Sequence, residues 1–462
     1  MEGYLQKILR SWNDREGNVN KTEDLLQWIE TLNATTHVSV RECSINESSF
    51  WFYDDNSGEV LNRKRSFFSV KGMRMFENDE FVKEQPIILQ PEIGYLGIIC
   101  QEIDGVLNFL MQAKIEPGNI NCVQISPTIQ ATKSNFTRAH GGKYPAYLDY
   151  FERSSRYDVL YDQIQSEQAA RFYKKRNRNM IMAVSDPVEV LPNFKWMTLG
   201  QIKRLMEIDN LVNMDTRTVL SGIPLVGRRI GDEERRALRE HFSDPALFRS
   251  AFDTDFIPSV TQIYQKINRH KMFCEVSVLS VPLSRLLDWK VDEYGIVCKK
   301  DADFMVRYYD IEIAGREVQK WIQPLFKATG RATFGLLTKT ECGVRKYLVR
   351  VKSEIGLFDQ VELGPSVQRE ATHGASDDAV ERVFWKHLNA NDGVVTDVLL
   401  SEEGGRFYHE ENRNAIIEIG EGELPELPED CLWVEYGALN YLVQINNCLN
   451  IQLRNLLSLI RL

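Results

Sequence analysis

The run Gln112-Ala-Lys114-Ile-Glu116-Pro-Gly-Asn119 sets an amide, an ammonium and a carboxylate at alternate positions ahead of a Pro-Gly turn. In an extended strand such residues share one face. Lys114 and Glu116 on that face are either a solvated edge or the wall of a polar pocket; in a pocket, a carboxylate and an ammonium are groups for proton transfer and anion stabilisation. Along the next segment Ser126, Thr128 and Gln130 again alternate, and polar residues continue through Thr132, Ser134 and Asn135 to His140. Two neighbouring strands with polar faces in an apolar context predict one lined cavity.

Two further groups carry charge. Lys174-Lys-Arg176-Asn177-Arg178-Asn179 is concentrated positive charge in a chain of net charge −10. It is either a solvated basic turn or a diphosphate site, because guanidinium forks match phosphate oxygens. Asn213-Met-Asp215-Thr-Arg217-Thr218 is either a helix N-cap with a satisfied arginine or part of the same ligand site.

Other chemistries lack their residues. No G-x-G-x-x-G follows a strand and no Tyr-x-x-x-Lys occurs, so the usual dinucleotide sites are not expected. The seven histidines are isolated, no Walker A loop is present, and Gly231-Asp-Glu-Glu-Arg-Arg-Ala is a poor echo of a Nudix box, with Ala237 in place of a glutamate. Neither a metal nor a cofactor is expected. The eight cysteines form no C-x-x-C pair, which predicts reduced thiols in a cytoplasmic protein. The acidic balance argues against nucleic-acid binding, and the sequence has neither a long apolar span nor the apolar core of a signal peptide, so no membrane association is expected.

The positioning elements are mixed. Segments 86–90, 95–100, 106–115, 122–130 and 180–184 are short, apolar and rich in β-branched or aromatic residues, and read as strands. Helices are predicted over 25–32, behind an Asn20…Glu23 cap, and after the capping box Thr198-x-x-Gln201. The class is α+β, with mixed or antiparallel sheets and a few helices.

The chain is also written twice. Val123–Gln130 recurs 238 residues later as Val361–Gln368, and the same offset matches Trp51 with Trp289, Gln85-Pro86 with Gln323-Pro324, Lys114 with Lys352 and Glu116 with Glu354. With small drifts, Ser166-Glu167 matches Ser401-Glu402, Asn177-Arg178-Asn179 matches Asn412-Arg413-Asn414, and Asn213 and Arg217 match Asn450 and Arg454. A duplication predicts two domains, residues 1–226 and 259–462, with a connector over 227–258 whose charged stretch from Asp232 forms a short solvated helix.

The runs QAKIEPGNINCVQISPTIQATKSNFTRAHGGKYPAYLDYF, KRNRNM, WMTLGQIKRLMEIDNLVNMDTRTVL and SEEGGRF resemble the NDP-hexose 2,3-dehydratases of deoxysugar biosynthesis over nearly the whole chain. The resemblance implies two tandem Nudix-like domains, a homodimer, a dTDP-linked 4-keto-6-deoxyhexose substrate, one working pocket and one vestigial copy. An elimination beside a ketone needs a base, a proton donor and donors around the enolate oxygen, and the candidates are Glu116 as base or acid, Lys114 at the enolate oxygen and His140 as proton relay. Asn119, Ser126, Thr128, Gln130, Thr132, Ser134, Asn135, Asn177, Asn179 and Arg217 would contact substrate, with Arg176 and Arg178 on the diphosphate. The sequence departs from the family pattern at Asn108, where a histidine is usual, and at Ala169-Ala170. The second copy lacks a counterpart of Ser134-Asn135-Phe136, which places the working pocket in the first. The alternatives are a non-catalytic nucleotide-sugar binder and a nucleotide-sugar diphosphatase.

Overall fold

The computed structural model describes residues 3–65, 67–133, 144–226, 230–315, 318–374 and 376–462. Each repeat builds two sheets. In the first repeat, the strands Asp158–Ser166, Arg176–Ala183, Ile93–Ile103, Val106–Ile115 and Phe194–Thr198 lie side by side in that order. The Arg176–Ala183 and Ile93–Ile103 strands run parallel, so the sheet is mixed. Val394–Ser401, Glu411–Glu418, Thr333–Glu341, Val344–Ser353 and Cys431–Glu435 repeat this order in the second half.

The predicted strand over 122–130 is two short strands, Val123–Ser126 and Ile129–Ala131, broken at Ser-Pro because proline has no N–H for a ladder. At the break, Thr128 Oγ1 donates to Leu110 O (2.5 Å) and accepts from Ile99 N (2.9 Å), knitting two strands together. Ser366 does the same in the second copy, to Leu348 O and from Leu337 N. The helix predicted over 25–32 spans Thr22–Thr35, but its N-cap is Lys21 without a side-chain hydrogen bond; Asn20 instead donates to Trp196 O at 2.9 Å. The Thr198–Gln201 capping box forms in full at the head of the helix Leu199–Leu205.

The outer sheets exchange strands. Val38–Cys43 of the first repeat pairs antiparallel with Phe304–Ile313 of the second, and Val276–Val281 of the second pairs with Ser69–Glu77 of the first. The register is symmetric: Val40 lies opposite Ile311, and Val278, its counterpart, opposite Met75. Neither repeat holds every strand of its own sheets. The residues between the repeats join the same core. Asp232–Arg239 is a helix, as predicted, but its Leu238, with Leu247 and Phe248 of the helix Pro245–Phe252, packs into a hydrophobic cluster that also contains Leu9, Ile98, Leu336 and Leu456.

The seam between repeats is a set of reciprocal polar contacts. Arg217, on the helix Met214–Ser221, donates to Val212 O (2.6 Å) and across to Ser401 O (2.8 Å). Arg454, its counterpart on Ile451–Ser458, donates to Leu449 O (3.2 Å) and across to Ser166 O. Gln124 donates to Ser401 Oγ at 2.7 Å, while in the second copy Ser166 donates to Glu362 at 2.6 Å. The turns interlock too. Gly118 N donates to Gly404 O and Gly118 O accepts from His409 N, while Gly356 O accepts from Lys174 N. A Cβ on Gly118 would lie 1.6 Å from Phe407 O, and one on Gly356 1.8 Å from Phe172 O.

Two predictions follow from this seam. Because a backbone oxygen cannot swing aside as a flexible side chain can, Gly118→Ala should cost at least about 1–3 kcal/mol in urea unfolding, while Gly422→Ala, which meets nothing within 4 Å, should be near neutral. Equal midpoints for the two variants would contradict the interlock. Burial pushes Glu362 up from an ordinary value near 4.5 to about 8. Between those values the unfolded chain has released a proton that the folded chain retains, so this contribution to stability falls as pH rises through the window. Glu362→Gln restores the residue type of the first copy. It should flatten the loss of stability between pH 5 and pH 8 by on the order of a few kcal/mol, and an unchanged pH slope would contradict it.

Candidate functional site

A cavity of about 830 Å³ opens between the repeats, within the range of about 300–1,000 Å³ usual for small-molecule sites. One wall is the end of the Val106–Ile115 strand and its turn. Strand alternation puts Lys114 and Glu116 on the same face, where Lys114 Nζ lies 3.0 Å from Glu116 Oε1. With 16% and 10% of their side chains exposed, the pair forms the cavity wall and not a solvated edge.

The opposite wall belongs to the second repeat. The interlock of Gly118 with Gly404 carries the loop Glu402–Arg406 across the seam, so that Glu403 faces Glu116. Burial first, and then the charge of Glu116, push Glu403 well above the usual carboxylate range, and the two side chains are hydrogen-bonded. Glu403 Oε1 also accepts from Gly405 N at 2.9 Å and lies 3.5 Å from Gln130 Nε2. Asp215, buried in the first turn of its helix, is likewise raised well above its ordinary value by burial and by the charges of Glu167 and Glu116. Three carboxyl groups thus share a desolvated space, and like charges crowded there favour protonated forms.

Cations bound the cluster. Burial lowers Lys175 to about 8; its Nζ donates to Glu92 O at 2.7 Å. Arg406 stacks on Phe67 and Phe68, each 4.5 Å from the ring centre, and donates to Gln90 Oε1 (3.1 Å) and Gly405 O (2.8 Å). Its Nε is buried without a hydrogen-bond partner among the described residues. Trp51, Phe50, Tyr95 and, from the second repeat, Trp321 and Lys320 also line the cavity. The arrangement offers an acid–base pair, buried cations and aromatic faces, the groups needed to hold a polar anion and move a proton on it.

Of the residues singled out in the sequence, Lys114, Glu116, Gln130, Thr132 and Asn177 meet in this cavity. Ser126 stands behind it: Asn213 donates to Ser126 Oγ (2.8 Å) and Gln130 Oε1 (3.2 Å) while capping its own helix at Thr216 N. Others lie elsewhere. Asn119 braces the turn, donating to Cys122 O (2.8 Å) and Lys114 O (3.4 Å), and Thr128 knits strands. Asn179 donates to Asn177 O, and Arg217 belongs to the seam. The basic run is not gathered on a phosphate site. Arg178 forks onto Asp162 at 2.6 and 2.7 Å, and Arg176 stacks on Phe358 at 3.7 Å; alternation along Arg176–Ala183 turns both away from Asn177. Asn108 is buried and donates to Asn18 Oδ1 and Val106 O, away from the cavity. Ser134, Asn135 and His140 lie outside the described residues.

The site residues that the sequence reading missed are Glu403, Arg406 and Glu167; Lys175 and Asp215 lie within the two charged groups it singled out, without being named individually as site residues. Comparing the copies position by position exposes several of them: where the first copy has Asp215, Lys175 and Thr132, the second has Gln452, Glu410 and Glu370. In the second copy Glu354 accepts from Gln368 at 2.9 Å, and Arg171, the counterpart of Arg406, pairs with Glu370 at 3.3 Å. Glu370, standing where the first copy has Thr132, thus gives Arg171 a carboxylate partner.

The family model for NDP-hexose 2,3-dehydratases matches residues 22–223 and again 260–460. The chain is similar to proteins named dTDP-4-dehydro-6-deoxy-alpha-D-glucopyranose 2,3-dehydratase from three bacteria. With that of Saccharopolyspora spinosa it is 39% identical, over 89% of this chain and 85% of that protein. With that of Streptomyces violaceoruber it is 36% identical over 96% and 98%, and with that of Amycolatopsis orientalis 34% over 99% and 94%. Two successive matches fall on the two halves of one interlocked fold, and the chain belongs to the NDP-hexose 2,3-dehydratase family.

Proposed function

We propose that this protein is a hydro-lyase that removes water across C2 and C3 of a dTDP-linked 4-keto-6-deoxyglucose, in the cavity between its repeats. The observation that carries this reading is the Lys114–Glu116–Glu403 array, a carboxylate held by a cation on one side and hydrogen-bonded to a proton-rich carboxyl on the other. The C4 ketone acidifies the hydrogen on C3, and the C2 hydroxyl is then a β leaving group. Glu116 takes the C3 proton, and the electron pair forms the C3–C4 enolate. The enolate re-forms the ketone and expels the C2 hydroxyl as water, with Glu403 or Asp215 supplying the proton. The resulting C2–C3 enol loses its hydroxyl proton and gains one at C2, giving the 3,4-diketo-2,6-dideoxy sugar. No hydride moves, so the balance of electrons closes without a redox partner.

Lys114 and Arg406 are the cations placed for enolate oxygen and diphosphate, and desolvation strengthens both interactions. The aromatic residues Trp51, Tyr95 and Trp321 offer faces for a nucleobase. Family membership and the divergence of the second copy support a single working pocket, a Nudix-like ancestry for each repeat and a homodimeric, cytoplasmic enzyme. No helix among the described residues is long and apolar enough to cross a membrane.

The test is incubation with dTDP-4-keto-6-deoxyglucose together with a ketoreductase that traps the labile product, followed by mass spectrometry. Loss of one water is expected; release of dTMP, or unchanged sugar on tightly bound nucleotide, would overturn the reading. Glu116→Gln should reduce turnover by about 10²–10⁴-fold while leaving dTDP affinity within a few fold. Glu403 acts in its protonated form, so turnover should fall as pH rises through its elevated ionisation. Glu403→Gln should lower turnover and remove that alkaline limb, and a retained limb would assign the proton donor elsewhere.

A further inference from the structure

Away from the cavity, three donors of different chemistry converge where the second repeat's exchanged strand leaves its helix. His270 and Cys274 are one turn apart at the end of the helix Ile257–Phe273, a spacing that puts both side chains on one face. Glu77 ends the Ser69–Glu77 strand directly opposite Val276. Two hydrogen bonds fix that register, Asn78 N to Glu275 O (2.8 Å) and Glu275 N to Asn78 Oδ1 (2.9 Å). Glu77 Oε1 therefore lies 2.6 Å from Cys274 Sγ, and one donor atom from each of the three residues lies within 4.8 Å of the other two.

The Cys274–Glu77 hydrogen bond accounts for two members of the group and leaves out the third. His270 Nε2 is buried from water and has no hydrogen-bond partner among the described residues. The duplication supplies an internal comparison. At the symmetric junction, where Val38 lies opposite Ile313, the positions of His270 and Cys274 are held by Leu32 and Thr36. The same strand exchange is made there by packing, so the donor set is not demanded by the exchange itself.

We infer that Glu77, His270 and Cys274 bind one zinc-class divalent cation, with water in the fourth position. One thiolate, one imidazole and one carboxylate suit a borderline-soft ion of tetrahedral habit, and shifts of about 1 Å in the side-chain ends bring such donors to bonding distance. The ion would tie a helix and the exchanged strand of one repeat to the sheet of the other. None of the three residues lines the cavity, so its role is structural.

The test uses the reduced full-length protein titrated with Co²⁺ as a spectroscopic stand-in, then with Zn²⁺. One equivalent of Co²⁺ should produce a thiolate-to-metal charge-transfer band that Zn²⁺ abolishes, and Zn²⁺ should raise the Tm. Cys274→Ser should eliminate the band and the Tm shift while leaving dehydratase turnover unchanged. His270→Ala and Glu77→Gln should each weaken binding by at least about tenfold, since even outer-shell partners of a metal are worth about 10–100-fold. Absence of one-equivalent binding, or a band that survives in Cys274→Ser and His270→Ala, would overturn the site.

Discussion

The structure depends on one constraint, the close backbone approach of the two repeats at their turn glycines. Gly118 sits against the Gly404–Phe407 segment with no room for a side chain, and Gly356 sits against Phe172 in the same way. That contact sets where the loops 166–171 and 401–406 lie relative to the other repeat's polar strand. The buried arginines Arg217 and Arg454 then serve the carbonyls of Ser401 and Ser166 across the seam, because a buried guanidinium must spend its donors on acceptors close by. Strand exchange at the outer sheets adds a second tie. The cavity is a product of assembly: Glu116 comes from one repeat, Glu403 and Arg406 from the other.

The two copies arrange their buried polar groups differently. In the first, Glu116, Asp215, Glu167 and Glu403 are packed in low dielectric with Lys114, Lys175 and Arg406 at the margins, so protons are retained and remain available to a ligand. In the second, Gln452 replaces Asp215, Glu410 replaces Lys175 and Glu370 replaces Thr132, and Glu370 pairs with Arg171. Both copies keep the seam residues, Asn213 with Asn450 and Arg217 with Arg454, because the fold needs them twice.

Much of this was legible in the sequence. Apolar, β-branched composition located the Val106–Ile115 strand to the residue, period-two alternation brought Lys114, Glu116 and Gln130 to one hollow, and the recurrence at 238 residues announced the duplicated α+β architecture. What alternation could not tell was which polar residues answer to the backbone. Thr128 and Arg217 look like ligand contacts in a string of letters, but a proline break and a helix end nearby leave carbonyls that those side chains satisfy. In the basic run, charge density says nothing of partners: Asp162 on the adjacent strand takes Arg178, while Lys175 and Asn177 line the cavity. Glu403 and Arg406 were hidden because their role exists only across the seam, and strand exchange is a long-range pairing that local pattern does not encode.

In the proposed reaction the sugar lies between Glu116 of one repeat and Glu403 of the other. A crystal structure of the protein with a bound dTDP-hexose measures this directly. The hexose is expected in the cavity between the repeats, with the C2–C3 edge turned to the Glu116–Glu403 pair and the diphosphate near Arg406. A hexose seated instead beside Glu354 and Gln368, or bound with its C2–C3 edge facing neither carboxyl, would contradict it.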